Sequence, residues 1–345
     1  MRVPVARRPA ASLMTVPLIA LALAGGACGG GGRPGGSEEP PATTAPPRPA
    51  PAAAPTAPRP VTLRVVRRDR LPAPVQLPGV AALADGVVLA VGGLDAADRS
   101  VADVVRIAPG APRRIGRLPQ PAHDIGLAAL AGKAYAFGGG TAAGPVAAIS
   151  SIAGTGGVRA AGRLPAAMSD TSAATIGDTA YVVGGYTATT PLRSVLAVDR
   201  SGRIRDVATL PHPLRYAAVA AVGGRLMVAG GTDGATARRE VLAVDPARHA
   251  VRVVARLPVP LAHAAGAALA GVFYVIGGRG DGLTSQRSAI WAYDPSSRRL
   301  RRAGRLPVAL SDVGAAAAGD RLLVAGGRDA TGTVHDELWL LAAAG

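Results

Sequence analysis

The chain is predicted to be all-β, a six-bladed β-propeller whose last blade is closed by the N-terminal strand of the domain. Three observations predict it. Gly-Gly recurs at Gly92-Gly93, Gly138-Gly139, Gly184-Gly185, Gly230-Gly231, Gly277-Gly278 and Gly326-Gly327, in steps of 46, 46, 46, 47 and 49 residues. Leu-Pro keeps the same beat, at Leu71, Leu118, Leu164, Leu210, Leu257 and Leu306. The sixth copy stops after three strands, at Trp339-Leu340, while Val61 to Arg70 reads as a spare fourth strand ahead of the first Leu-Pro. A unit of this length cannot bury a core alone, so in-phase copies must stack or close on one another. Closure through the first strand removes two free sheet edges.

Residues 1–27 read as a lipoprotein-like export signal. Arg2, Arg7 and Arg8 precede an apolar stretch, Ala10 to Ala24, too short to span a bilayer, and small residues lead to Cys28. Cys28 is the sole cysteine of the 345 residues, so no internal disulfide is available, and its placement resembles the acylated cysteine of bacterial lipoproteins. Gly25 stands where a leucine is usual, and cleavage after Ala22-Leu23-Ala24, with release as a secreted protein, is the competing expectation. Residues 28–60 are Pro, Ala, Gly and Thr with almost no large apolar side chain, a composition expected to form a disordered or polyproline-like tether. At ~3.1 Å per residue such a tether reaches roughly 100 Å.

The propeller is expected over residues 61–345. In the fifth copy, an Ala-rich run from His263 to Leu269 turns at Ala270-Gly271 into the β-branched and aromatic Val272 to Ile276, which ends at Gly277-Gly278. A polar loop leads into Ala289 to Tyr293, Asp294-Pro295 turns the chain, and Leu300 to Arg305 closes the unit. Four short strands per unit make a propeller blade. A Gly or Asp six residues before each doublet supplies the first turn, and the doublet glycines are expected at positive φ.

The apolar strand, the doublet, the later Val244-Asp245-Pro246 and Tyr293-Asp294-Pro295 turns and a period close to 50 residues resemble the kelch repeat family. The resemblance spans roughly Val61 to Gly345. It departs from the family at the position six residues before Leu-Pro, usually Trp, which here holds Val65, Pro112, Val158, Ile204, Val251 and Leu300. The blades are an aliphatic version, in keeping with 3% aromatic residues.

A net charge of +16 raises nucleic acid as a partner, but the distribution argues against it. Residues 61–345 hold 32 basic and 20 acidic residues, and many arginines (Arg113, Arg114, Arg117, Arg252, Arg256, Arg298, Arg299, Arg301, Arg302, Arg305) fall on expected outer strands, where charge blunts edge-to-edge pairing. Neither interleaved aromatics for base stacking nor a helix patterned for the major groove is present. Attraction to anionic envelope polymers or lipid head groups fits better.

Strand alternation brings the loop entering each innermost strand and the loop after Gly-Gly to one mouth of the channel. The fifth and sixth positions after each Leu of Leu-Pro are Gln76-Leu77, His123-Asp124, Ser169-Asp170, Arg215-Tyr216, Ala262-His263 and Ser311-Asp312. Polar side chains ahead of Ala-rich strands make this ring the candidate ligand site, and the resemblance supports it, since kelch propellers commonly bind ligands on this face. The recurring Asp124, Asp170 and Asp312, with Ser169 and Ser311, also suit blade-to-blade hydrogen bonding. Arg215, Tyr216, His123 and His263 break the repeat: Arg215 could grip a carboxylate and Tyr216 could stack on a sugar. Opposite stand Asp95, Asp98, Tyr186, Asp233, Arg238, Arg279, Asp281 and Asp329, expected to shape specificity. Arg279-Gly280-Asp281 matches the integrin-type tripeptide by chance composition.

The expected function is a non-catalytic binding module for a glycan or protein of the cell envelope, monomeric, without metal or cofactor, and tethered through Cys28. Copper-radical oxidase chemistry needs a cysteine in the propeller, and none is there. Ser-x-Asp-x-Gly-x-Thr-Trp boxes and Gly-x-Ser-x-Gly turns are absent, and no compact His spacing supports a metal. Sugar-acid mutarotases resemble this chain in carrying six kelch-like blades and need only a placed acid and base, so that activity, with His123 or His263 as base, is the alternative. A structural envelope scaffold is the third. A narrow, internally hydrogen-bonded mouth would favour the scaffold, and an open pocket would favour binding.

Overall fold

A computed structural model describes residues 62–344. The expected export signal, the tether and Cys28 lie outside the described residues. The fold is a six-bladed β-propeller, with no helix among the described residues.

Blade 1 is built from Gly79–Ala82, Val88–Val91, Asp103–Ala108 and Arg113–Arg117, listed from axis to rim, and blades 2 to 5 repeat this order. Blade 6 takes Gly314–Ala318, Arg321–Ala325 and Glu337–Ala343 from the end of the chain and Leu63–Arg70 from its front. Leu63 pairs with Ala343 and Arg70 with Glu337, antiparallel, so the first strand completes the last blade. Blade 2 adds a short hairpin, Gly140–Thr141 on Gly144–Pro145, and its outer strand runs on through Leu164-Pro165 to Met168, which pairs with Val146. The short loop of this blade lengthens its third strand and gives the outer strand more to pair with.

The core is divided into six apolar clusters, one at each seam between neighbouring blades. At the closing seam, Val88, Ala90 and Ile107 of blade 1 meet Leu323, Ala325 and Leu338 of blade 6. All six leucines of the Leu-Pro marker are buried, each in the seam ahead of its own blade. Small inner-strand residues, such as Ala218 and Ala220, fit where six strands converge on the axis.

The doublet has a packing role as well as a conformational one. All twelve of its glycines have positive φ. In blade 4, a Cβ on Gly230 would overlap the Leu261 carbonyl of blade 5, and the Gly231 N–H donates to that same carbonyl at 2.9 Å. The arrangement repeats at every seam, ending with Gly327 N–H on the Val75 carbonyl of blade 1 at 2.9 Å. The doublet therefore brings one blade's backbone against the next at hydrogen-bonding distance, which a side chain would prevent.

Candidate functional site

Two backbone devices build the mouth. The fifth-position residue of each blade exchanges a pair of N–H···O=C bonds with the residue directly after Gly-Gly: Gln76 with Leu94, His123 with Gly140, Ser169 with Tyr186, Arg215 with Thr232, Ala262 with Arg279 and Ser311 with Arg328. This ties the two loop sets into one surface. The sixth-position residues, Leu77, Asp124, Asp170, Tyr216, His263 and Asp312, all have left-handed backbone, φ 53 to 62°. Their N–H groups run from blade to blade: Tyr216 to the Asp170 carbonyl, His263 to Tyr216, Asp312 to His263 and Leu77 to Asp312, at 2.7 to 3.2 Å. The backbone thus carries part of the blade locking at this level, and the side chains gather around the mouth of a narrow channel of about 130 Å³. Asp tolerates this conformation better than most residues, which accounts for its recurrence. Tyr216 does not share that tolerance, so its presence calls for a side-chain role.

Those side chains form one network. Tyr216 of blade 4 stacks on His263 of blade 5, with ring centroids 3.8 Å apart, and its hydroxyl reaches Asp124 of blade 2 at 3.3 Å. Asp170, which shares this cluster with Asp124, accepts from Arg215 Nε at Oδ2, at 2.5 Å. The Arg215 guanidinium lies over the Tyr186 ring, 4.0 Å from its centroid, and 3.5 Å from the Tyr216 hydroxyl. On the other side, His263 Nδ1 donates to Asp312 Oδ1 at 2.5 Å, while its Nε2 accepts from Arg279 at 2.9 Å. That pair of partners defines the neutral imidazole with its proton on Nδ1. Ser311, wholly buried, donates to Asp312 Oδ2.

The electrostatics are uneven. Burial, with the charges of Asp170 and Asp312 nearby, pushes the Asp124 carboxyl well above its ordinary range. Burial also raises Asp312, but the His263 imidazole, the Ser311 hydroxyl and the Arg279 charge outweigh it and hold the carboxyl below its ordinary value. Burial lowers His123 despite the charge of Asp170, leaving a neutral imidazole with Nδ1 2.8 Å from Ser100 Oγ and Nε2 3.7 Å from Asp124. Burial and the neighbouring carboxylates raise the Tyr216 hydroxyl beyond any physiological titration.

Above this floor open two clefts. One, of about 320 Å³, is bounded by Gln76, Asp98, Arg279, Gln286 and Arg328. The other, of about 290 Å³, is bounded by Arg215, Thr232, Arg279 and Asp281. Arg279 and Leu283 belong to both, and Leu283 is 76% exposed. Among the described residues Arg279 has no carboxylate within 4.0 Å, whereas Arg215 is committed to Asp170 and Arg328 reaches Asp98 at 3.4 Å. The structure thus brings Arg215, Tyr216, His263 and the three Asp residues into one cluster, with His123 at its edge. Ser169 and Ser311 are buried beneath it.

The facing loop residues divide in two. Asp95, Asp233 and Asp329 accept backbone N–H groups of their own loops, and Arg238 pairs with Asp233, so these hold loop shape. Asp281 accepts the Ala237 N–H of the neighbouring blade, and Asp98 accepts from the Gln76 amide. Leu283, Gln286 and Arg328 escaped the sequence reading. Arg328 occupies the same repeat position as Arg279, directly after the doublet, and that was the available signal. Among the described residues no group of three His, Cys, Asp or Glu is placed to hold a metal ion. No protein-family model matches the chain, and a search of curated proteins finds no match.

Proposed function

We propose that the chain is an exported kelch-type propeller, held at the cell envelope through Cys28, that binds an anionic glycan or protein ligand at the mouth. The observation that carries this reading is Arg279, a guanidinium standing between two open clefts with no carboxylate in reach and braced from behind by His263 and Asp312. A cation held in place by its neighbours and left without a counter-ion favours an anionic group, because little ordering remains to be done on binding. Leu283 beside it offers apolar contact to the rest of such a ligand. The regular doublets and the Asp-Pro turns support the kelch assignment, and the basic, apolar and small-residue order of residues 1–27 supports export.

The test is a glycan-array and envelope pull-down screen with the Cys28→Ala chain beside Arg279→Gln. The variant is expected to bind at least about tenfold more weakly, roughly 1.4 kcal/mol, with unchanged unfolding. Ligand capture that is indifferent to Arg279→Gln rejects the reading.

A second reading, proton transfer on a sugar acid, is favoured by Asp124, whose carboxyl burial raises, lying 3.7 Å from the His123 imidazole, which burial lowers. Exchange NMR of the anomers of a captured sugar tests it. An acceleration that persists in Asp124→Asn removes Asp124 from any such role.

A further inference from the structure

The outer strands of blades 5 and 6, Arg299–Arg305 and Leu63–Arg70, lie side by side: Leu63 and Ala303 share one apolar cluster, and a Cβ on Gly304 would press on the Leu63 carbonyl. Arg67 pairs with Asp69 at 3.0 Å and Arg70 with Asp336 at 2.7 Å. Arg64, Arg68, Arg299, Arg301, Arg302 and Arg305 are exposed and have no carboxylate within 4.0 Å among the described residues. On blade 1 Arg114 and Arg117 share Asp103, and the outer strands of blades 2 to 4 each carry only one or two arginines without such a carboxylate, so the cluster is densest here.

Within this cationic strip one residue is out of place. Each outer strand carries a β-bulge, and the bulged residue packs into a seam: Ala303 is 1% exposed in blade 5 and Val207 is 8% exposed in blade 3. In blade 6 the bulge falls two residues earlier in the repeat, at Val66, and this residue is 52% exposed. A valine thus stands open to solvent between Arg64 and Arg67-Arg68; on the outer strand of blade 4 Val253 is 47% exposed, but with fewer unpaired arginines around it.

We propose that this rim docks on an anionic lipid surface. Guanidiniums clustered without counter-ions repel one another and are relieved by a surface of opposite sign. A soluble polyanion would supply charge alone, whereas a bilayer also takes up Val66 and the aliphatic stems of the arginines at the head-group boundary. The described chain enters the propeller at this same strand. The proposal concerns a surface remote from the mouth and stands whether or not the ligand reading does.

The test places an environment-sensitive fluorophore at Val66→Cys in the Cys28→Ala chain, and in a second protein at Arg159→Cys on the outer strand of blade 2. Vesicles of phosphatidylglycerol with phosphatidylcholine are compared with phosphatidylcholine alone and with dextran sulfate. The label at 66 is expected to shift to the blue on the anionic vesicles only, and the label at 159 to stay unchanged. Adding Arg64→Gln, Arg68→Gln, Arg301→Gln and Arg302→Gln should weaken the response by several hundredfold, at roughly fivefold per guanidinium. Equal shifts at both labels, or a response indifferent to the four substitutions, would overturn the proposal. The same blue shift with dextran sulfate would overturn it too, in favour of a soluble polyanion.

Discussion

Replacing Gly326 by alanine probes how the ring closes. Gly326 has φ +63°, and a Cβ there would overlap the Val75 carbonyl of blade 1, the acceptor for Gly327 N–H. Two costs add. A non-glycine residue in left-handed backbone costs about 1–2 kcal/mol. Moving the Val75 carbonyl away costs about 1–3 kcal/mol in lost hydrogen bonding and displaced backbone. Together they come to roughly 2–5 kcal/mol. Gly86→Ala is the control, because Gly86 has φ +81° but nothing within 4 Å of the added carbon. Only the first cost applies there. Urea unfolding followed by tryptophan fluorescence is the assay, since Trp339 is buried beside the closing strand. Gly326→Ala is expected to lose at least about 1 kcal/mol more than Gly86→Ala. Equal losses would refute the argument, leaving the doublet as a turn device without a role between blades.

Asp124 and Asp170 should respond in opposite ways to the same change. Asp170→Asn strips the half-buried Arg215 of its counter-ion and is expected to destabilise by about 3 kcal/mol, whereas Asp124, whose carboxyl burial shifts towards its protonated form, pairs with no arginine among the described residues, so Asp124→Asn should stay within about 1 kcal/mol. Because the folded value of Asp124 is raised, its contribution to stability is present below its ordinary value of 3.8 and lost as pH rises through the folded value, so chemical denaturation across pH should show that loss in the parent and not in Asp124→Asn. His335 hydrogen-bonds Asp329 at 3.1 Å and Glu337 at 2.9 Å, and although burial lowers it, these two carboxylates raise it overall. Its contribution is complete below 6.5 and lost as pH rises through the folded value, a step that His335→Asn should abolish in the same titration. The Asp329 carboxyl is held at about 2 because, against burial, Thr331, His335 and backbone N–H groups stabilise its charge; its contribution is present above 3.8 and fades as pH falls towards about 2, and Asp329→Asn should remove that acid limb.

Part of the mouth was legible in the chain. Arg215, Tyr216, His123 and His263 stood out because they interrupt a repeat, and an interruption is visible wherever equivalent positions can be compared. Arg215 as a carboxylate clamp was a reasonable expectation from its type, yet the guanidinium is already taken by Asp170, a residue 45 positions earlier in the neighbouring blade. Arg279 is the cation left without such a partner. Nothing local distinguishes the two arginines; the difference is made by what the adjacent blade puts opposite each.

The number of blades, their strand order and the closure by the first strand are encoded in the spacing of residues along the chain. Those follow from periodic backbone requirements: glycine where two blades touch, leucine where a seam must be filled, and a turn residue between strands. Which polar groups pair, which carboxyl is raised by burial and which cation faces an open cleft follow from the folded ring. Charge pairing and burial depend on distances between blades, and those distances exist only once the ring has closed.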